Sequence, residues 1–195
     1  MFSGIIEATG KITAIENRKG DQRISIDAGG LDLTDVKTGH SIAVNGVCLT
    51  VVTLAGSEFS VDVSAETLAC TTFNSFMTGS KMNLEKALHL SDRLHGHLVT
   101  GHVDGVGTIK SRQADARSER FDIDCPKELL RYFSKKGSIC IDGVSLTINE
   151  KTATGFSVNI IPHTLQETII SGYQTGTRVN LEVDLIARYL ETLIP

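Results

Sequence analysis

Residues 41–50, SIAVNGVCLT, return as residues 138–147, SICIDGVSLT, at an offset of 97 positions (138 less 41). Six of the ten positions are identical, and the other four exchange similar residues: Ala43 for Cys140, Val44 for Ile141, Asn45 for Asp142 and Cys48 for Ser145. The same offset, without a gap, aligns Gly4 with Gly101, Gly10 with Gly107, Ile12 with Ile109 and Phe59-Ser60-Val61 with Phe156-Ser157-Val158. It carries on through Thr67-Leu68 and Thr164-Leu165, Gly79 and Gly176, and Asn83-Leu84-Glu85 and Asn180-Leu181-Glu182. A register held over this length marks a duplicated structural unit. The chain reads as a tandem duplication with a boundary near residue 97, giving units at 1–97 and 98–183 and a terminal segment at 184–195.

The quoted stretch also chooses the secondary structure. Asn45-Gly46 and Asp142-Gly143 are the two dipeptides preferred in type I′ turns, where both central residues need positive φ, and each is flanked by β-branched residues. On the outgoing strand side chains alternate faces, so Val47, Leu49 and Val51 point one way and Cys48 and Thr50 the other. The second copy repeats this with Val144, Leu146 and Ile148 against Ser145 and Thr147. Phe59, Val61 and Val63 alternate in the same way with Ser60, Asp62 and Ser64, as do Phe156, Val158 and Ile160 with Ser157 and Asn159. Short alternating strands between Gly and Asn/Asp turns point to two small β-barrels in an all-β fold. The apolar set is assigned to the cores, and the small polar pair at matching places in both copies to a ligand surface.

Helical signals are few. Pro126 is expected as the first helical residue before KELLRYFSKK, with Gly137 as the stop. Asp184 is expected to cap LIARYLETLI, where Leu185, Ile186, Tyr189, Leu190, Leu193 and Ile194 form an apolar stripe that needs a partner. The corresponding stretch after the first copy, ALHLSDRLHG, runs into the linker instead, so the terminal helix is an addition to the repeat.

Composition narrows the function classes. With 195 residues, 41% hydrophobic and 22% charged, the chain has the makeup of a globular protein. A net charge of −4 without runs of like charge lacks the basic footprint of a nucleic-acid binder. Neither a signal-peptide pattern nor a run of about 18 apolar residues is present, so the expectation is a cytoplasmic protein without a membrane partner. The gaps between Cys48, Cys70, Cys125 and Cys140 match no zinc or redox motif, and Cys70, Cys125 and Cys140 are read as buried small hydrophobes.

The residues with chemistry have two readings each. His95 and His97 form an HxH pair of the kind zinc sites use, but no further ligand is evident, and a loop of solvated histidines is the reading preferred. His102 aligns with Ile5, so it places an ionisable group on one side of a duplicated scaffold; it is a candidate for acid/base work or a surface histidine. Cys48 is a candidate nucleophile or a small polar-face residue, and Ser145 at the equivalent place favours the latter. Lys136, before Gly137, reads from the local pattern as a solvated charge at a helix end.

MFSGIIEATG, SIAVNGVCLTV, GHLVTGHVDG and KKGSICIDGVSLTI resemble the signature segments of the riboflavin synthase α-chain family, in that family's order and over essentially the whole chain. The resemblance implies tandem six-stranded Greek-key barrels with a C-terminal α-helix, each barrel holding one 6,7-dimethyl-8-ribityllumazine. It implies a homotrimer joined by the C-terminal helices, with the reacting pair between the N-terminal barrel of one subunit and the C-terminal barrel of a neighbour, and lumazine synthase as a further partner. Carried over, the first site comprises Gly4, Ile5 and Ile6, Cys48, Leu49 and Thr50, and Asp62, Val63, Ser64, Ala65, Glu66 and Thr67. The second comprises Gly101, His102 and Val103, Ser145, Leu146 and Thr147, and Asn159, Ile160, Ile161, Pro162, His163 and Thr164. Lys136, Ser41, Asp142 and Asp184 fall in family motifs as well, and His95 departs from the Gly found in many relatives.

The implied reaction transfers a four-carbon unit between two identical lumazines to give riboflavin and 5-amino-6-(D-ribitylamino)uracil. The lumazine 7-methyl group is acidic, so orientation, a proton acceptor and hydrogen-bond donors suffice; no cofactor and no metal is assigned. The catalytic candidates are His102 as proton shuttle, Cys48 or Ser145, or a water they hold, as the group adding to the ring, and Lys136. A non-catalytic lumazine- or flavin-binding protein, like the family's antenna relatives, and a duplicated barrel that only binds partners remain the rival readings.

Overall fold

The computed structural model describes residues 1–193. The first copy contributes β1 (Ala8–Arg18), β2 (Asp21–Asp27), β3 (Ser41–Val44), β4 (Val47–Ala55), β5 (Glu58–Val63) and β6 (Lys81–Lys86). The second contributes β7 (Gly105–Asp115), β8 (Ser118–Asp124), β9 (Ser138–Ile141), β10 (Val144–Lys151), β11 (Gly155–Ile160) and β12 (Arg178–Val183). Each set closes into an antiparallel barrel, in the orders β1-β2-β5-β4-β3-β6 and β7-β8-β11-β10-β9-β12, with the last strand pairing back to the first. The chain jumps from β2 to β3 and from β5 to β6 across the barrel, the Greek-key pattern. Closure removes the open edges a small sheet would otherwise expose.

The alternation in the sequence becomes the inside and outside of each barrel. Val47, Leu49 and Val51 are buried in the first core with Ile12, Ile24, Phe59 and Leu84. Val144 and Ile148 take the same part in the second with Ile109, Phe121 and Phe156. Bulges recur at the repeat offset, between Ile12 and Ala14 and between Ile109 and Ser111, then between Val51 and Thr53 and between Ile148 and Glu150. Such bulges tighten the local twist, which a six-stranded closure requires.

The two hairpins meet back to back. Asn45 and Asp142 adopt φ of 45° and 44°, as type I′ turns demand, and their glycines face each other. A Cβ on Gly46 would stand 2.6 Å from Gly143 N, so only glycine permits the approach. Asn83 Nδ2 donates to Asp142 O and Asn180 Nδ2 to Asn45 O, both at 2.9 Å, so each barrel caps the other's hairpin. The same two side chains accept from Ile169 N and Thr72 N, which leaves no carbonyl of these buried amides unpaired.

Two short helices escape the sequence reading, α1 (Ala65–Cys70) and α2 (Pro162–Glu167), each after the fifth strand of its barrel. Ser64 caps α1 by accepting from Thr67 N at 3.1 Å, and Pro162 opens α2. The helix expected after Pro126 is a correction: Lys127–Tyr132 is a 3-10 turn, and the chain reverses at Lys136, with φ of 70°, in place of Gly137. Lys136 occupies the place of Gly39, φ 92°, in the first copy, so it sits in a turn and at no helix end. The final helix, α3 (Leu185–Leu193), begins where Asp184 accepts from Ile186 N at 2.9 Å. Ile194 of the expected stripe lies outside the described residues.

Candidate functional site

The repeat is joined by an exchange of segments. Phe2 and Val99 form an antiparallel bridge, which lays residues 2–4 and 99–101 side by side along the approximate twofold. Beyond it each segment crosses to the other barrel: Ser145 N donates to Gly4 O at 2.7 Å, and Cys48 N donates to Gly101 O at 2.9 Å. Both glycines have positive φ and would collide with their partners if they carried a Cβ, at 2.6 Å for Gly4 on Ser145 Cβ and 2.5 Å for Gly101 on Cys48 Cβ. These two close approaches define the site.

A buried glutamate fastens each segment. Glu85 accepts from Ser3 N, Ser3 Oγ and Gly4 N at 2.6, 2.7 and 3.0 Å. Glu182 does the same for Thr100 N, Thr100 Oγ1 and Gly101 N at 2.7, 2.6 and 2.9 Å. Burial raises both carboxyl pKa values, against the pull of these donors toward the ionised form. The glutamates act as anchors beneath the site, and the sequence showed them only as repeat-matched residues.

On the first barrel the exchange leaves a cleft of about 270 Å³ lined by Cys48, Glu66, Thr67, Cys70, His102 and Val103 among others. Cys48 is half-buried and His102 exposed, so a thiol and an imidazole from different copies share one accessible wall. Cys70 is a correction to its buried reading: it is exposed and its thiol donates to Glu66 Oε1 at 3.2 Å, which raises its pKa. The grouping of the segments is corrected too. Gly101–Val103 lie with Cys48 and α1, while Gly4 lies on Ser145, the reverse of the assignment carried over from the motifs.

On the second barrel Ser145 is half-buried and meets His97, whose Nδ1 is 2.7 Å from Ser145 Oγ. His97 is therefore no solvated loop histidine; it is 9% exposed, whereas His95 is open to solvent. Ile5, Ile161, Pro162 and His163 are exposed nearby in sequence to the residues that contact or follow Ser145's barrel face, and Ile6 and Thr164 are half-buried.

Other candidates are used elsewhere. Leu49, Val63 and Ile160 turn their side chains into the barrel cores, which follows from the strand alternation and leaves only their backbone to face a ligand. Asp62 is held by Arg23 through two bonds of 2.7 Å, which lowers its pKa; Ser64 caps α1, Ala65 opens it, and Thr50 pairs with Ser41 across β3 and β4. Asn159 is tied to Asn149 and Asp115, and Leu146 packs on the second core beside exposed Thr147. Asp142 is also a correction, because its carboxylate is buried and accepts from Tyr173 Oη and Asn180 N, leaving nothing for a ligand. Lys136 is exposed at its turn, and Asp184 caps α3.

The paired barrels and their exchanged half-sites define a duplicated binding protein, and the family model described as lumazine binding domain matches residues 3–87 and 100–184. Riboflavin synthase of Photobacterium phosphoreum is 46% identical over all of this chain and 89% of its own length. That of Bacillus subtilis (strain 168) is 41% identical over 97% and 88%, and that of Mycobacterium tuberculosis (strain ATCC 25618 / H37Rv) 43% over 100% and 98%. The chain belongs to the riboflavin synthase family. Its fold superposes on crystal structures of LumP complexed with 6,7-dimethyl-8-(1′-D-ribityl) lumazine and with riboflavin, at TM-scores of 0.85 and 0.87 and 28% and 29% identity. Both superpositions cover 94% of this chain and 99% of the other.

Proposed function

We propose that this chain is a riboflavin synthase, an enzyme that takes two 6,7-dimethyl-8-ribityllumazine molecules and transfers a four-carbon unit from one to the other. The products are riboflavin and 5-amino-6-(D-ribitylamino)uracil. The observation that carries this reading is the pair of related half-sites, each built from a β4- or β10-type strand and the segment it receives from the other copy. A reaction whose donor and acceptor are the same molecule needs two like pockets, and holding both partners in register removes much of its entropic barrier. The two pockets are alike in scaffold and unlike in chemistry, with Cys48 and His102 on one side and Ser145 and His97 on the other. That difference gives one lumazine the role of donor and the other that of acceptor.

In this proposal the first pocket uses Cys48, Thr50, the run Asp62–Thr67 and Gly101–Val103, and the second uses Gly4–Ile6, Ser145, Thr147, the run Asn159–Thr164 and Lys136. His102 is the proton-transfer group. Incubation of the purified protein with 6,7-dimethyl-8-ribityllumazine and a chelator is expected to generate riboflavin absorbance. Tight binding without turnover would overturn the enzyme reading in favour of a binding protein, which the LumP complexes support as the second reading.

The assembly proposed is a homotrimer. On α3, Ile186, Tyr189, Leu190 and Leu193 are 61%, 62%, 49% and 77% exposed, an apolar stripe at helical spacing left uncovered among the described residues. Three such helices around an axis would bury it and close a ring that sets the first barrel of one subunit against the second barrel of the next. Deleting residues after Asp184 is expected to yield smaller particles by light scattering, with turnover lost and ligand binding kept. A fully active monomer would sink the intersubunit site. A cytoplasmic location and an association with lumazine synthase are proposed from the family alone, with cell fractionation and co-sedimentation as their tests.

A further inference from the structure

His97 belongs to the connection between the barrels, yet it is as buried as a core residue. Its N–H donates to Ser3 O at 3.1 Å, and a Cβ on the preceding Gly96 would stand 2.1 Å from Ser3 O and 2.9 Å from Ser145 Cβ. The connection is thus pressed onto β10, and the imidazole is held with Nδ1 2.7 Å from Ser145 Oγ. The other ring nitrogen, Nε2, is buried with no hydrogen-bond partner among the described residues. Burial lowers the pKa of the ring against the opposing charge of Asp184, so the imidazole is neutral at pH 7.

A neutral imidazole carries one proton, and its location decides what Ser145 can do. On Nε2 the proton would be a buried donor without an acceptor, the rarer and costlier kind of orphan. On Nδ1 it is donated to Ser145 Oγ, and only a lone pair goes unmatched. We propose that His97 is a positioning residue of the second pocket: its Nδ1–H donates to Ser145 Oγ, which commits the serine O–H to donate to an acceptor atom of the bound heterocycle, a carbonyl oxygen or a ring nitrogen. His97 does not touch the ligand itself, because Nε2 is sealed. A ring that has given its proton to Oγ takes none from it, so Ser145 acts as a hydrogen-bond donor and not as a nucleophile. The first pocket works differently, since its histidine, His102, is exposed and stands where the other copy has Ile5.

This inference rests on the lumazine-binding reading of the pocket, and its test separates the two. Nitrogen-15 NMR of the imidazoles in the ligand-free, full-length protein is expected to show the His97 proton on Nδ1, and a proton on Nε2 would overturn the proposal whatever the protein turns over. Asn sets its amide nitrogen where His has Nδ1, whereas Gln reaches the Nε2 position. His97→Asn is therefore expected to bind riboflavin within about twofold of the unaltered protein, and His97→Gln about tenfold more weakly, the scale of one hydrogen bond. Combining His97→Gln with Ser145→Ala is expected to cost no more than Ser145→Ala alone. Equal losses for Asn and Gln, or additive losses in the double variant, would refute the link between the two residues. Absence of turnover in the unaltered protein would remove the proposed reaction and leave the proton position to decide the role of His97.

Discussion

Replacing Asp142 and Tyr173 together by Asn and Phe gives the second copy the residues that the first already has at Asn45 and Phe76. The backbone accepts the change, because Asn45 holds the same positive φ and accepts from Asn83 N at 2.7 Å just as Asp142 Oδ1 accepts from Asn180 N at 2.8 Å. What changes is charge. Asp142 is 3% exposed, and burial pushes its pKa from 3.8 up to about 7 although Tyr173 and Asn180 favour the ionised form. The folded pKa lies above the unfolded one, so the contribution is fully present below pH 3.8 and is lost as pH rises through about 7. Its full span is on the order of 4 kcal/mol, of which roughly 2–3 kcal/mol falls between pH 5 and pH 8. Urea unfolding of both proteins at several pH values is the assay. The unaltered chain is expected to lose about that much more stability than the double variant over this interval. Parallel stability profiles would refute the reasoning, and Tyr173→Phe alone is expected to be worst at pH 8, where it strips a donor from a buried carboxylate.

Gly46→Ala is expected to destabilise the fold by about 2–4 kcal/mol in thermal or urea melts, because it adds positive-φ strain to a contact 2.6 Å from Gly143 N. Glu182→Gln is expected to cost about 2 kcal/mol and to speed hydrogen exchange at Thr100–His102, since it takes the charge from an acceptor of three donors; unchanged exchange there would count against the anchoring role. Cys48→Ser is expected to retain more turnover than Cys48→Ala, because Ser145 already fills that place in the second copy, and equal rates would remove a polar role for the thiol.

The barrels were legible because their determinants are local. Turn dipeptides at 45–46 and 142–143 and period-two alternation along β4, β5, β10 and β11 each speak within about ten residues, and the repeat supplied two readings of every strand. The helices were read less well. α1 and α2 are elements of six residues, too short for an amphipathic period to show; the cap of α1, Ser64, lies in a stretch that reads as a strand end, and α2 has no side-chain cap, only Pro162 in its first turn. After Pro126 the helical pattern was real but lost to tertiary geometry: the chain must return to β9 through Lys136, whose N–H donates to Ile148 O at 2.8 Å, and a longer helix would break that contact.

The site was legible by residue and illegible by grouping, for a reason that belongs to duplicated proteins generally. Gly4 and Gly101 carry the same signal, and so do Cys48 and Ser145, so sequence similarity says that a segment of this kind packs on a strand of this kind without saying which copy supplies which. The bridge between Phe2 and Val99 decides it, because two antiparallel segments lying on the axis deliver their continuations to opposite barrels. Cross-delivery then explains why the differences between the copies accumulate where they do. Glu85 and Glu182 fasten the crossing segments and are identical, since both must satisfy the same three donors. Past the anchors the constraint ends: Ile5 stands against His102, and the connection that leads into the second crossing lays His97 on β10, the strand that receives the first. Symmetry is kept by the residues that hold the segments and broken by the residues they present, which is the arrangement a reaction between two copies of one molecule requires.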